Sequence, residues 1–208
     1  HCGNPVRAEI EAIEPPNERL ANRQGAMKLL VLGGSRGALA INKLIPEALA
    51  TIDPQKRPVV LHQVGDKHLQ TTQEFYQAQS LDIESNAIQI VSFIDSMQEA
   101  YEWADFVICR SGALTVAELT AVGLGALLVP FPYAIDEHQT SNGEWLVNGQ
   151  AALMIQQRDI TPQGLADQIV SLANNPEQRL SMANYARSLA KNGAADRVAK
   201  VCMEVANV

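Results

Sequence analysis

ADFVICRSGALTVAEL (residues 104–119) runs an apolar stretch directly into Arg110, Ser111 and Gly112 and then into a helical pattern. The portion DFVIC (105–109) is almost continuously apolar, the mark of a strand covered on both faces. Ser111 and Gly112 suit a helix start, and residues 113–122 read as the helix. A strand handing over to a helix through so short a turn is half of a βα unit. Its neighbours in sequence therefore decide whether the whole domain is built this way.

They repeat it. Strand-type runs fall at MKLLVLG (27–33), PVVLHQVG (58–65), AIQIVSF (87–93), GALLVPF (125–131) and AALMI (151–155). Helical stretches fill the gaps at 37–51, 66–79, 95–103, 137–148, 161–174, 177–191 and 194–206. Thr161 before Pro162 is a helix start, and Asp95 is expected to cap the helix over 95–103. The alternation predicts an α/β fold, a Rossmann-like doubly wound parallel sheet of about six strands. In such a sheet ligands sit beyond the carboxyl ends of the strands, so the loops after each strand are where chemistry belongs.

Composition sets the outer bounds. The 208 residues are 47% apolar and only 5% aromatic, enough for an aliphatic core. A formal charge of −7 without a Lys/Arg cluster argues against nucleic acid as a partner. Cys2, Cys109 and Cys202 are odd in number and far apart, which fits a reducing compartment; Cys109 reads as core. Residues 1–25 are polar and Pro-containing and read as a linker arriving from elsewhere in a longer protein, with the α/β domain at 26–208.

Four loops could carry chemistry. GGSRG (33–37) allows close approach to the backbone, and Ser35 could meet a phosphate, although a tight turn needs glycine in any case. It is neither a Walker loop nor a dinucleotide fingerprint. Around Gly112 the free N–H groups of the helix start could cradle a diphosphate. Glu118 lies six residues beyond Gly112, about 9 Å along the axis, on the same face as Thr115. A carboxylate accepts from both hydroxyls of a vicinal diol, so a ligand with an anionic end and a sugar end fits this helix; a capped helix with a solvated Glu is the plain alternative. PFPYAIDEHQTSN (130–142) offers Gln139 and Asn142 as amides suited to neutral sugar hydroxyls. Asp136 and Glu137 lack further ligands, so no metal is expected, and His138 alone is a weak candidate base. In SFIDSM (92–97), Ile94 stands where a planar base could rest.

Six segments in order resemble the carboxy-terminal half of the MurG family, the undecaprenyldiphospho-muramoylpentapeptide N-acetylglucosaminyltransferases of glycosyltransferase family 28. They are GNPVR (3–7), GGSRGA (33–38), SFIDSM (92–97), ADFVICRSGALTVAEL (104–119), LVPFPYA (128–134) and HQTSN (138–142). The resemblance implies a GT-B enzyme of two Rossmann-like domains, of which this chain is the half that binds UDP-N-acetylglucosamine. It implies that Arg7 faces the donor from the interdomain segment, Ser35 meets phosphate, and Ile94 holds uracil through its backbone. The stretch Arg110, Ser111, Gly112, Ala113, Leu114, Thr115, Val116, Ala117 and Glu118 would carry the diphosphate and ribose contacts. Gln139, with Asn142 nearby, would bind the GlcNAc hydroxyls. Arg36, Gly125, His138 and Gly143 depart from the common family pattern.

The implied reaction is transfer of GlcNAc to the C4 hydroxyl of lipid I, giving lipid II with inversion, with no cofactor. No catalytic residue is expected in this half. The base, the acceptor site and the contact with the inner face of the plasma membrane would belong to the other domain. Two rivals remain: a UDP-GlcNAc 2-epimerase, which would carry paired glutamates in this helix, where Val116 and Ala117 precede a single Glu118, and a non-catalytic UDP-sugar-binding domain.

Overall fold

The computed structural model describes residues 2–33, 38–132 and 138–206. Among these, strands β1 (Lys28–Leu32), β2 (Val59–Gln63), β3 (Ile88–Val91), β4 (Phe106–Cys109), β5 (Ala126–Leu128) and β6 (Ala152–Met154) form one sheet. The order is β3-β2-β1-β4-β5-β6, with every pairing parallel. This is the doubly wound sheet read from the alternation. The strands are shorter than the apolar runs that announced them, because ladder pairing ends before the apolar loop residues do.

The period-two alternation of each strand divides the core into two layers. Leu29 and Val31 face one layer, with Ile41, Ile45 and Leu49 of α3 (Leu39–Thr51) and Leu165, Ile169 and Leu172 of α8 (Pro162–Ala173). Leu30, Leu32, Val107 and Cys109 face the other layer. There they meet Tyr101 of α5 (Met97–Trp103), Val116 and Leu119 of α6 (Ala113–Val122), and Leu146 of α7 (His138–Asn148). Cys109 is core, as read, and burial pushes its thiol up to about 12. The remaining helices are α4 (Leu69–Ala78), α9 (Pro176–Ser188) and α10 (Ala194–Ala206). Thr161 caps α8 as expected, accepting from Gly164 N at 3.1 Å. At α5 the cap is Ser96, not Asp95: Ser96 Oγ accepts from Glu99 N at 3.2 Å. A hydroxyl one residue closer to the first turn wins the position.

The opening segment has structure of its own. Helices α1 (Ala8–Glu11) and α2 (Pro16–Arg19) lie on the second layer, and Ile10 and Ile13 are fully buried in it. Each such side chain contributes about 1.5–3 kcal/mol by leaving water. Arg19 donates to Tyr101 O at 2.9 Å and Gly123 O at 2.6 Å, at the carboxyl ends of α5 and α6. Arg23 donates to Glu102 O and Trp103 O and lies 3.4 Å from Asp105. Cations placed on the unpaired carbonyls of helix ends satisfy both the hydrogen bonds and the dipole. Burial lowers the Arg19 pKa to about 10, so the guanidinium stays charged at neutral pH.

Two details fix the fold tightly enough to test. Gly123 closes α6 in the left-handed region at φ 68°, where a Cβ would sit 2.6 Å from Pro16 Cγ and 2.9 Å from Arg187 Cβ. Gly123→Ala should lower stability by about 1–3 kcal/mol in urea unfolding. Gly25→Ala, at a positive φ with open space around it, should lose less. Buried His62 forms the second detail. Its Nδ1 lies 2.9 Å from Tyr76 Oη and its Nε2 3.2 Å from Asn42 Oδ1, while Asn42 Nδ2 donates to Val64 O at 3.0 Å. Asn42 thus accepts from Nε2–H, leaving Nδ1 to accept from Tyr76. Burial pulls the His62 pKa down to about 3, against 6.5 when unfolded. The unfolded chain therefore binds the extra proton between those values, and stability falls as pH drops through that window, by about 1.4 kcal/mol per unit at full slope. In urea unfolding at pH 7, 5.5 and 4.5, His62→Gln should flatten this decline relative to the parent.

Candidate functional site

The sheet order reverses between β1 and β4, which leave their shared edge in opposite directions through the domain, and a crevice opens there. A cleft of about 190 Å³ occupies the spot. Leu32 and Gly33 come to it from the end of β1, and Cys109 and Arg110 from the end of β4. Thr115 and Glu118 of α6, with Met97 and Tyr101 of α5, close it. Gly33 is needed sterically: a Cβ there would lie 2.9 Å from Gln63 O and 3.1 Å from Asn42 Oδ1. Ser35 lies outside the described residues, as do Arg36, Asp136 and Glu137.

Gly112 is the N-cap of α6 in an extended conformation, with no side chain capping the helix. The N–H groups of the first turn, from Ala113 to Thr115, point out of the helix without intrahelical partners, and Val116 N is the first to bond back, to Gly112 O at 2.9 Å. Ala113 and Leu114 are exposed, Leu114 at 64%. Thr115 and Glu118 share the face turned to the cleft, as their spacing required. Val116 is almost fully buried. Ala113, Val116, Ala117 and Asn142 border a second cavity, about 420 Å³, on the outer side of α6 with Val6 and Trp145. Neither Thr115 nor Glu118 lines that larger space. The face of α6 that carries Thr115 and Glu118 thus belongs to the smaller cleft, and Ala113 at the helix start borders the larger one.

Glu118 is held from two sides. Tyr101 Oη donates to Glu118 Oε2 at 2.8 Å, and Arg7 Nη2 lies 3.6 Å from Glu118 Oε1. Burial, reinforced by the Glu118 carboxylate, holds the Tyr101 phenol well above its usual pKa, so it remains a donor. Ile94 is half-buried on the loop after β3, packed with Met97 into the second layer, while its neighbour Phe93 is 64% exposed.

The first turn of α7 is tied to the start of α6. Buried Ser111 donates from Oγ to Gln139 O at 2.7 Å, and Asn142 Nδ2 donates to Ser111 O at 3.1 Å. Gln139 Oε1 accepts from Phe131 N at 3.0 Å, which leaves its amide N–H groups as the donors to offer a ligand. Arg110 borders the cleft, but its head group braces the exit of β5. Nη1 donates to Val129 O and Pro130 O, both at 2.9 Å, and Nη2 to Gln157 Oε1 at 2.6 Å. Burial lowers its pKa to about 10. Among the described residues no three His, Cys, Asp or Glu side chains gather as a metal site. The sequence singled out neither Tyr101 nor Met97. An aromatic and a thioether in a short helix read only as core.

Residues 28–199 match the family model described as the glycosyltransferase family 28 C-terminal domain. A Burkholderia thailandensis protein named UDP-N-acetylglucosamine--N-acetylmuramyl-(pentapeptide) pyrophosphoryl-undecaprenol N-acetylglucosamine transferase is 51% identical over 204 residues. That match covers 98% of this chain and 55% of the relative. The Burkholderia mallei protein of the same name is 50% identical over the same span. The crystal structure of Acinetobacter baumannii MurG superposes with a TM-score of 0.84 at 34% identity, over 94% of this chain and 55% of that one. WaaG, a glycosyltransferase of lipopolysaccharide biosynthesis, shares the fold at 15% identity and a TM-score of 0.63. The chain spans about half the length of the curated relatives it matches. On its sheet, its cleft and these likenesses, the chain belongs to glycosyltransferase family 28 and carries that family's C-terminal domain.

Proposed function

We propose that this chain is the donor-binding half of an inverting N-acetylglucosaminyltransferase, which moves GlcNAc from UDP-GlcNAc to the C4 hydroxyl of lipid I and yields lipid II. One observation carries the reading. An uncapped helix start and a positioned carboxylate lie on one helix about 9 Å apart, at the reversal of the sheet. That is the span from the diphosphate of a nucleotide to the far side of its ribose. The names of the relatives support the identity of donor and acceptor.

In this reading the N–H groups from Ala113 to Thr115 and the Ser35 hydroxyl receive the diphosphate. Glu118 accepts from the ribose hydroxyls, and Arg7 borders the same sugar. Ile94 takes the uracil edge through its backbone, and Gln139 donates to the GlcNAc hydroxyls with Asn142 bracing the loop. As the bond between the anomeric carbon and the phosphate oxygen breaks, negative charge grows on the departing UDP. Amides fixed at a helix start stabilise that charge without reorganising. Residues 1–25 connect this domain, 26–208, to the acceptor domain, which supplies the base and the lipid-facing surface at the inner face of the plasma membrane. No helix among the described residues is long and apolar enough to cross a membrane. Alone, the chain binds donor without turnover.

Calorimetric titration of the chain checks this. UDP-GlcNAc should bind with the same affinity with and without EDTA, and more tightly than UDP-GalNAc; a domain that only senses UDP would bind the two sugars alike. Glu118→Ala should weaken UDP by roughly ten-fold or more, the scale of a hydrogen bond to a charged group. It should hardly change binding of an analogue lacking both ribose hydroxyls.

A further inference from the structure

We propose that Tyr101 is the positioning residue that aims the Glu118 carboxylate, and that through it the domain tells ribonucleotides from deoxyribonucleotides. The inference rests on the reading above, in which Glu118 takes the ribose.

The geometry makes the case. Glu118 is a long side chain on the wall of an open cleft, 21% exposed, and left alone it would sample several rotamers. A carboxylate that wanders binds a diol poorly, because each hydroxyl must find an oxygen already in place. Tyr101 removes that freedom. Its ring is fully buried in the second core layer, and its hydroxyl reaches Glu118 Oε2 at 2.8 Å. The tyrosine is itself anchored: Arg19 donates to Tyr101 O at 2.9 Å, and Arg23 binds the next two carbonyls of the same turn, Glu102 and Trp103. The phenol stays protonated and so only donates here. One oxygen of Glu118 is thereby fixed against the protein. The other, Oε1, lies 3.6 Å from Arg7 Nη2. The carboxylate is oriented, and the segment before β1 reaches it twice, directly through Arg7 and indirectly through Arg19 and Tyr101.

The consequence is selectivity, not overall affinity. A diphosphate bound at the start of α6 gains nothing from Tyr101. Only ligands bearing ribose hydroxyls benefit from an aimed Glu118.

The test is calorimetric titration of the chain with UDP and with 2′-deoxyuridine diphosphate, reading the ratio of the two dissociation constants. Tyr101→Phe keeps the ring and removes the hydroxyl. It should reduce the preference for UDP by about ten-fold while leaving the deoxy ligand within about two-fold of the parent. Partial unfolding lowers the competent fraction equally for both ligands and does not move this ratio. Glu118→Ala supplies the reference, since it removes the carboxylate without touching the tyrosine. A parental ratio in Tyr101→Phe alongside a collapsed ratio in Glu118→Ala overturns the proposal. A parental ratio in Glu118→Ala instead removes the ribose role of Glu118, and the proposal with it.

Discussion

The first turn of α6 presents backbone N–H groups that nothing in the helix can satisfy, and the sheet places that turn at the reversal between β1 and β4. Much else follows from keeping it open and still. Gly112 leaves it uncapped by any side chain. Ser111, just before it, donates to Gln139 O and accepts from Asn142, so the first turn of α7 is held against it. At the far end, Gly123 and Arg19 close the helix against α2. A helix held at both ends delivers its dipole and its amides to one fixed point, which is what a departing anion requires.

The segment before β1 links structure to chemistry. It is short and polar, yet it buries two isoleucines and sends arginines to the carboxyl ends of α5 and α6. Those same helices carry Tyr101 and Glu118. The segment is thus bonded to the helices that close the cleft, through charge placed on helix ends.

The legible part of the sequence was periodic or local. Continuous apolar runs such as FVIC and LLVL gave the strands, Thr161-Pro162 gave a helix start, and the Thr115-to-Glu118 spacing gave the shared face of those two residues. Ile10 and Ile13 were missed because two apolar residues among charges and prolines show no period. The resemblance put Arg110 among the ligand contacts; it borders the cleft, and only the fold shows that its head group is engaged at the exit of β5. Tyr101 left no signal at all, since its role depends on a carboxylate 17 positions away.

By itself, then, the chain's order of residues determined the βα alternation, the strand pattern that demands cover on both faces, and the helix that pairs a glycine-led start with an acid nearly two turns on. These are properties of neighbours, set by backbone geometry and side-chain period. Tertiary structure alone decided that β1 and β4 are adjacent, that the cleft lies on the Thr115 and Glu118 face of α6 and not on the roomier outer side, and that Glu118 is held between Tyr101 and Arg7. Contacts between residues far apart in sequence carry no local energetic signature, and exist only once both core layers have closed around the sheet.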